Sequence, residues 1–358
     1  TYFLSQILMP SSRITWIDFC RVYTAFFVIV RHVDRWFVGV PTINYLADLF
    51  NFRSLIFFFF LMSGYFSHRP TEGQWVDVKR TKQLIIPYIF WCLFGMLVVY
   101  SPSMLSGDWS WLTPYKVASE LGLTSWCYWN FTNVPLWFLR TLILLAFFAP
   151  LIHRVPSKVL IALVLISFAA SDVLCDVDLE ANESHRTLNH AQKGLPFRAY
   201  ESELAFGFFA GGILLRRYAK PEALTAFLRS YALVPVLGSL VLLFPVLTWT
   251  FYPPVQSASL VLLGVCTTMS IGCLCERYLP RFTRVVASLG TASFFIYVTH
   301  YPILLCFRYA LTGSWHGGLP VTLCYFLPFI ILAVSVSLFF LLKKLCPGFL
   351  RVFAMAKV

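Results

Sequence analysis

A histidine, two arginines and an aspartate fall within and just ahead of one apolar stretch: Arg13, Asp18, Arg21 and His32. Histidine exchanges a proton near neutral pH, which suits it to general-base work on a hydroxyl. Arginine presents a planar fork that matches carboxylate or phosphate oxygens. On a helix, eleven residues return almost to the same face, so Arg21 and His32 point the same way, about 16 Å apart along the axis. Asp18 and Arg21, three residues apart, are spaced to pair. Two readings stand side by side. The Asp18–Arg21 pair is a structural brace, or Arg21 keeps part of its fork for an anionic ligand. His32, close in sequence to Arg31, Asp34 and Arg35, is an interfacial anchor or a reactive group.

Further candidates follow along the chain. Lys79, Arg80 and Lys82 lead into an apolar run that begins at Leu84. Such a cluster serves topology, or holds phosphates supplied from the cytosol. Trp137 opens another run, with Arg140 one turn deeper; Trp137 is also an ordinary belt aromatic. Glu201 and Glu203 start a third. Tyr297 and His300 share a helical face, where hydrogen bonding across helices is the plain alternative. Arg53 and Arg308 complete the set. Asp18, Arg21 and residues 79–82 form an inner tier suited to a phosphate-bearing cytosolic ligand. His32, Arg53, Arg140, Glu201, Glu203 and Arg308 form an outer tier suited to a polar ligand outside, and His300 lies between. Ionisable groups at membrane depth mark function by default, and this arrangement fits either a carrier or an enzyme working across a bilayer.

The elements that must position these residues are membrane helices. The 358 residues are 59% hydrophobic, 18% aromatic and 12% charged, about half the charge of a soluble domain, with mean hydropathy +0.74. Apolar blocks near the length of a bilayer core predict about ten spans: 15–37, 48–67, 84–101, 135–152, 157–174, 200–217, 230–250, 256–275, 288–311 and 319–342. The fold class is thus all-α, a polytopic helical bundle forming a single transmembrane domain over 1–358, with no separate soluble domain. Alternating segments of a transmembrane barrel are absent. Basic loops at 69–82, 154–158, 216–229 and 277–284, with a basic tail, alternate with neutral or acidic ones, so both termini are expected in the cytoplasm. The net charge of +12 is then mostly a topology signal with attraction to membrane lipid, and gives no argument for nucleic acid. Eight of the ten cysteines read as small buried apolar residues. Cys127 and Cys175 fall in or beside external loops, where they pair or stay free thiols. The acidic stretch with Asp172, Asp176, Asp178, Glu180 and Glu183 lacks calcium-loop spacing and reads as a solvated loop, and no metal site is expected.

These residues carry a resemblance. Arg13, Asp18-x-x-Arg21 and His32 are similar to the first-span signature of the membrane-bound acyltransferase type 3 family, which acylates cell-surface glycans and related molecules. Phe57 to Tyr65 resembles the family's Phe-Phe-x-x-Ser-Gly-Phe motif. Arg80 to Trp91 resembles its basic lead-in to the third span, Leu136-Trp137-Phe138-Leu139 its Leu-Trp-Phe-Leu, and Tyr297-Val-Thr-His300 its Tyr-Leu-x-His. One departure stands out: the second arginine of the family's Arg-x-x-Arg aligns with Gln83, with Lys82 beside it. A lysine point charge does not replace an arginine fork.

The resemblance implies transfer of an acyl group, most often acetyl from acetyl-coenzyme A, onto a hydroxyl. His32 is then the candidate base. Arg13, Arg21, Arg80 and Lys82 are candidates for the donor's phosphates. Asp18, Trp137, Arg140, Glu201, Glu203, Tyr297 and His300 are candidates for substrate contact, oxyanion stabilisation or positioning. The 16 Å or so from Arg21 to His32 gives an extended pantetheine arm a length to run along. The implied partners are acyl-coenzyme A from the cytosol and a glycan or glycolipid acceptor outside. A fused extracellular domain is not expected, so this membrane domain reaches the acceptor directly or through a separate envelope partner. The implied home is a bacterial inner membrane. The rival class is a carrier of a sugar, lipid-linked saccharide or organic anion. It accounts for the charged interior but not for the ordered motifs.

Overall fold

The computed structural model describes residues 14–34, 52–121, 133–184, 199–247, 258–313 and 320–355, and among them every regular element is helical. The helices are α1 (Thr15–Asp34), α2 (Phe52–Tyr65), α3 (Val78–Leu105), α4 (Pro114–Glu120), α5 (Trp137–Arg154), α6 (Ser157–Ser184), α7 (Ala199–Tyr218) and α8 (Pro221–Tyr231). They continue as α9 (Leu233–Leu247), α10 (Ala258–Tyr278), α11 (Pro280–Ser288), α12 (Ser293–Thr312), α13 (Val321–Leu345) and α14 (Pro347–Phe353). Short 3₁₀ turns at Val134–Leu136 and Leu289–Ala292 precede α5 and α12.

Five stretches among the described residues are long and apolar enough to cross a membrane: Val78–Leu105, Trp137–Arg154, Ala258–Tyr278, Pro280–Thr312 and Thr322–Leu345. A sixth appears if Pro221–Tyr231 and Leu233–Val241, bent by 49°, form one span. Helices α1 and α7 have the length, at 20 residues each, but carry more charge than a lipid-facing span tolerates. Several of the basic segments read as loops are helical. Residues 280–288 form α11, whose Thr283 and Ala287 are fully buried while Phe282 and Val285 stay exposed. The acidic stretch is also not a loop as far as Ser184, because Leu, Ala and Glu without Gly or Pro let α6 continue. Residues 185–198 lie outside the described set, as does Cys127; the side chain of Cys175 does too. The other eight cysteines are free thiols.

The chain groups into two compact units. The first comprises Thr1–Phe59, Ala219–Val255 and Leu260–Val358. At its centre lies α1, packed against α11, α12, α13 and the 3₁₀ turn before α12. Trp16, Cys20, Ala25 and Ile29 are fully buried along it, the first two on the face opposite the last two, as on a helix covered by protein on more than one side. The indole of Trp16 donates to Thr225 Oγ1 at 3.1 Å, and the Cys20 thiol donates to the Thr268 carbonyl at 3.2 Å. Gly272 allows that close approach, because a side chain there would collide with Cys20 and the Trp16 carbonyl. Helix α12 is buried all round from Phe295 to Pro302, the pattern of a helix enclosed by protein. Gly313, in the left-handed conformation at φ 67°, closes it by donating to the Tyr309 carbonyl at 2.8 Å.

The second unit comprises Phe60–Tyr218 and Gln256–Ser259. Here α6 packs along α7, and α3 along α5. Small residues set the helix spacing, as they do where lipid supplies no hydrophobic drive. Any Cβ on Gly64 would strike the Phe209 carbonyl, and one on Gly212 would strike the Leu61 carbonyl. The Ser-Gly of the second motif is therefore a crossing point of two backbones.

Candidate functional site

In the first unit, α1 holds Asp18, Arg21 and His32 on one unbroken helix, so the eleven-residue spacing is realised as helix. Asp18 is buried and seated against Gly290, where an added Cβ would lie 2.8–2.9 Å from its side chain. Gly290 belongs to the turn that joins α11 to α12, so the carboxylate sits at the junction of these two helices. Arg21 reaches Asp18 with one Nη1···Oδ1 contact of 3.4 Å and its side chain is 43% exposed. A bidentate arginine–carboxylate pair would use two shorter bonds. The fork is therefore not consumed by the contact with Asp18.

Eleven residues further on, the half-buried His32 meets α12. Its ring centre lies 5.2 Å from that of His300, tilted by 44°, and 5.4 Å from that of Tyr301, edge to face at 75°. His300 is fully buried, and its Nδ1–H donates to the Tyr297 carbonyl at 2.6 Å, because a carbonyl can only accept. Nε2 of His300 is buried with no hydrogen-bond partner among the described residues. Tyr297, 2% exposed, packs its ring 5.9 Å from His300 and 6.5 Å from Phe59. The structure thus brings His32, Tyr297 and His300 together from segments more than 260 positions apart. It adds Tyr301, which sequence reasoning passed over. Tyr301 follows His300 directly and stands four residues from Tyr297, a spacing that was available as a signal. Arg308 lies buried two turns further along the same helix.

In the second unit, Asp77 caps α3 by accepting from the Arg80 N–H at 2.9 Å. This cap places Lys79, Arg80 and Lys82 in the first turns. Cations at a helix N-terminus are each unfavourable by about 0.3–1 kcal/mol unless an anion offsets them. Arg80 is half-buried and makes a single long bond, 3.5 Å, from Nη2 to the Ser63 carbonyl; Lys82 is exposed. Trp137, at the start of α5, packs its ring 6.3 Å from Phe60, and Arg140 lies half-buried one turn on. The backbone carbonyl of Glu203 accepts the Ser167 hydroxyl, while its carboxylate Oε2 is buried without a partner among the described residues. Arg13 lies outside the described residues; Arg53 and Glu201 are on helices, but their side chains lie outside.

Described residues whose regular elements are all helical, with several helices long and apolar enough to cross a bilayer, are those of an integral membrane protein, and one such stretch carries the buried His300 against the half-buried His32. A family model described as an acyltransferase domain matches residues 14–342, nearly the whole chain. The chain belongs to this acyltransferase 3 family and is a membrane acyltransferase. No curated protein matched it, and no solved structure matched it.

Proposed function

We propose that the protein moves an acyl group, acetyl in the first instance, from cytosolic acyl-coenzyme A to a hydroxyl of a cell-surface or periplasmic glycan. The observation that carries this reading is the α1 geometry: an arginine with donors to spare and a histidine beside a second, buried histidine, on one helix about 16 Å apart. His32 is the base. It takes the proton of the acceptor hydroxyl as the oxygen forms a bond to the thioester carbon. Collapse of the tetrahedral species breaks the carbon–sulfur bond, and the proton passes from His32 to the departing thiolate. By residue chemistry, Arg13, Arg21, Arg80 and Lys82 are the partners of the donor's phosphates. The layout that serves this reaction is a ten-span bundle with both termini cytoplasmic, in a bacterial inner membrane.

The test is mass spectrometry of envelope glycans from cells expressing the wild-type chain or His32→Ala, together with coenzyme A binding to the purified proteins. Base-labile ester should accompany the wild-type chain and vanish with the variant, while coenzyme A binding persists. Full esterification by the variant would reject His32 as base. Transport of an unmodified saccharide or organic anion without coenzyme A would instead make the protein a carrier.

A further inference from the structure

His300 is the best-buried titratable group near His32, and its protonation pattern is dictated by its surroundings. The neutral ring has one proton, and the Tyr297 carbonyl fixes it on Nδ1 at 2.6 Å. Nε2 therefore carries a lone pair, and that lone pair has no partner among the described residues. A buried acceptor left unmatched calls for a donor. It also rules the neutral ring out as a donor to an oxyanion, since neither nitrogen has a free N–H to offer.

The nearest imidazole supplies the match. A direct N–H···N bond between two rings needs about 3 Å between nitrogens plus about 1 Å from each nitrogen to its ring centre, or about 5 Å in all. The ring centres of His32 and His300 are 5.2 Å apart. That separation leaves room for a direct bond once the half-buried His32 ring turns against Tyr301. We propose that His300 is a positioning residue: its Nε2 accepts the N–H of His32, which pins His32's proton on the inner nitrogen and leaves the outer nitrogen's lone pair for the acceptor hydroxyl. This rests on the acyl-transfer reading. His300 takes no proton in the reaction; the hydroxyl proton goes to His32 and on to the thiolate.

Two measurements on the full-length chain decide it. In the first, base-released acetate from envelope glycans is compared at matched levels of folded protein for His300→Gln, which keeps an acceptor oxygen near the place of Nε2, and His300→Leu, which keeps none. His300→Leu should lose about 100-fold and His300→Gln should recover at least tenfold of it, in the range that base catalysis supplies. Equal activity of wild type and His300→Leu overturns the proposal, as does His300→Gln no better than His300→Leu. In the second, nitrogen-15 spectra of histidine-labelled protein in liposomes should show a neutral, Nδ1-protonated ring that is lost in His300→Gln and whose Nε2 signal shifts in His32→Gln. An Nε2 signal indifferent to His32→Gln overturns the pairing. If the wild-type chain esterifies nothing, the acyl-transfer reading fails, and the nitrogen spectrum still decides whether the two rings are bonded.

Discussion

Two histidine neighbourhoods, one in each unit, differ in how completely their polar groups are matched. In the second unit, His153 Nε2 stands 2.7 Å from Ser67 Oγ, and the Ser67 hydroxyl donates to the Gly64 carbonyl at 2.6 Å. Since that hydroxyl has one proton, His153 must donate its Nε2–H to Ser67. Nearby, Arg217 spends its fork on the end of α5 and the start of α6: the carbonyls of Ile152, His153 and Val155, and Ser157 Oγ, at 2.8–3.4 Å. Arg154 lies over the Trp75 ring at 4.2 Å. In the first unit, among the described residues, His300 Nε2 has no hydrogen-bond partner and Arg21 has one long contact to Asp18. Charge and imidazole occur in both places. The two imidazoles differ in one respect: Nε2 of His153 is matched by Ser67, whereas Nε2 of His300 has no hydrogen-bond partner among the described residues.

The sharpest way to break the comparison is to remove each histidine. His32→Ala should lower acyl transfer by about 10²–10⁴-fold, the range of a lost general base, with the chain still folded. His153→Ala should transfer close to the wild-type rate per folded molecule, because its proton is already committed to Ser67. Base-released acetate, normalised to folded protein, reads both. Equal losses would erase the distinction.

The arginines come next. Arg217 caps the C-terminal carbonyls of α5, where a charged donor is worth most. Arg217→Ala should lower stability by about 2–3 kcal/mol, seen as a fall in melting temperature in detergent, with transfer per folded molecule unchanged. Arg21→Ala should do the reverse. It leaves melting nearly unaltered and raises the KM for acyl-coenzyme A about tenfold, the size of one lost charge-assisted contact. A melting loss from Arg21→Ala equal to that from Arg217→Ala would make Arg21 a brace after all.

These contrasts also mark what the sequence could reveal. The Arg21–His32 relation was legible because it lives on one helix, and a fixed rise and turn per residue carry it. The surroundings of Asp18 and Arg217 were not. Asp18 is placed by Gly290, more than 270 positions away, and Arg217, which reads from sequence as a topology charge, caps a helix that ends at Arg154. The His32–His300 approach depends in the same way on how α1 packs on α12. Apolar runs located the helices, yet charged stretches at 175–184 and 280–288 read as loops and are helical, because propensity and an amphipathic face continue where bulk hydropathy stops.

The smallest expected effect tests whether the Ser67–His153 contact is only structural. Removing the hydroxyl in Ser67→Ala deletes the bond from His153 and the bond to the Gly64 carbonyl. The Gly64 carbonyl lies at the end of α2, and His153 lies at the end of α5, where water and neighbouring donors can replace part of what is lost. The cost should therefore be about 1 kcal/mol rather than the full penalty of an orphaned buried pair. Thermal melting in detergent would resolve it as a shift smaller than that of Arg217→Ala. Transfer should be unaltered. If Ser67→Ala instead abolished transfer in a chain that melts like the wild type, the second unit would hold a reactive serine, and the contrast between the two histidines would have to be drawn the other way round.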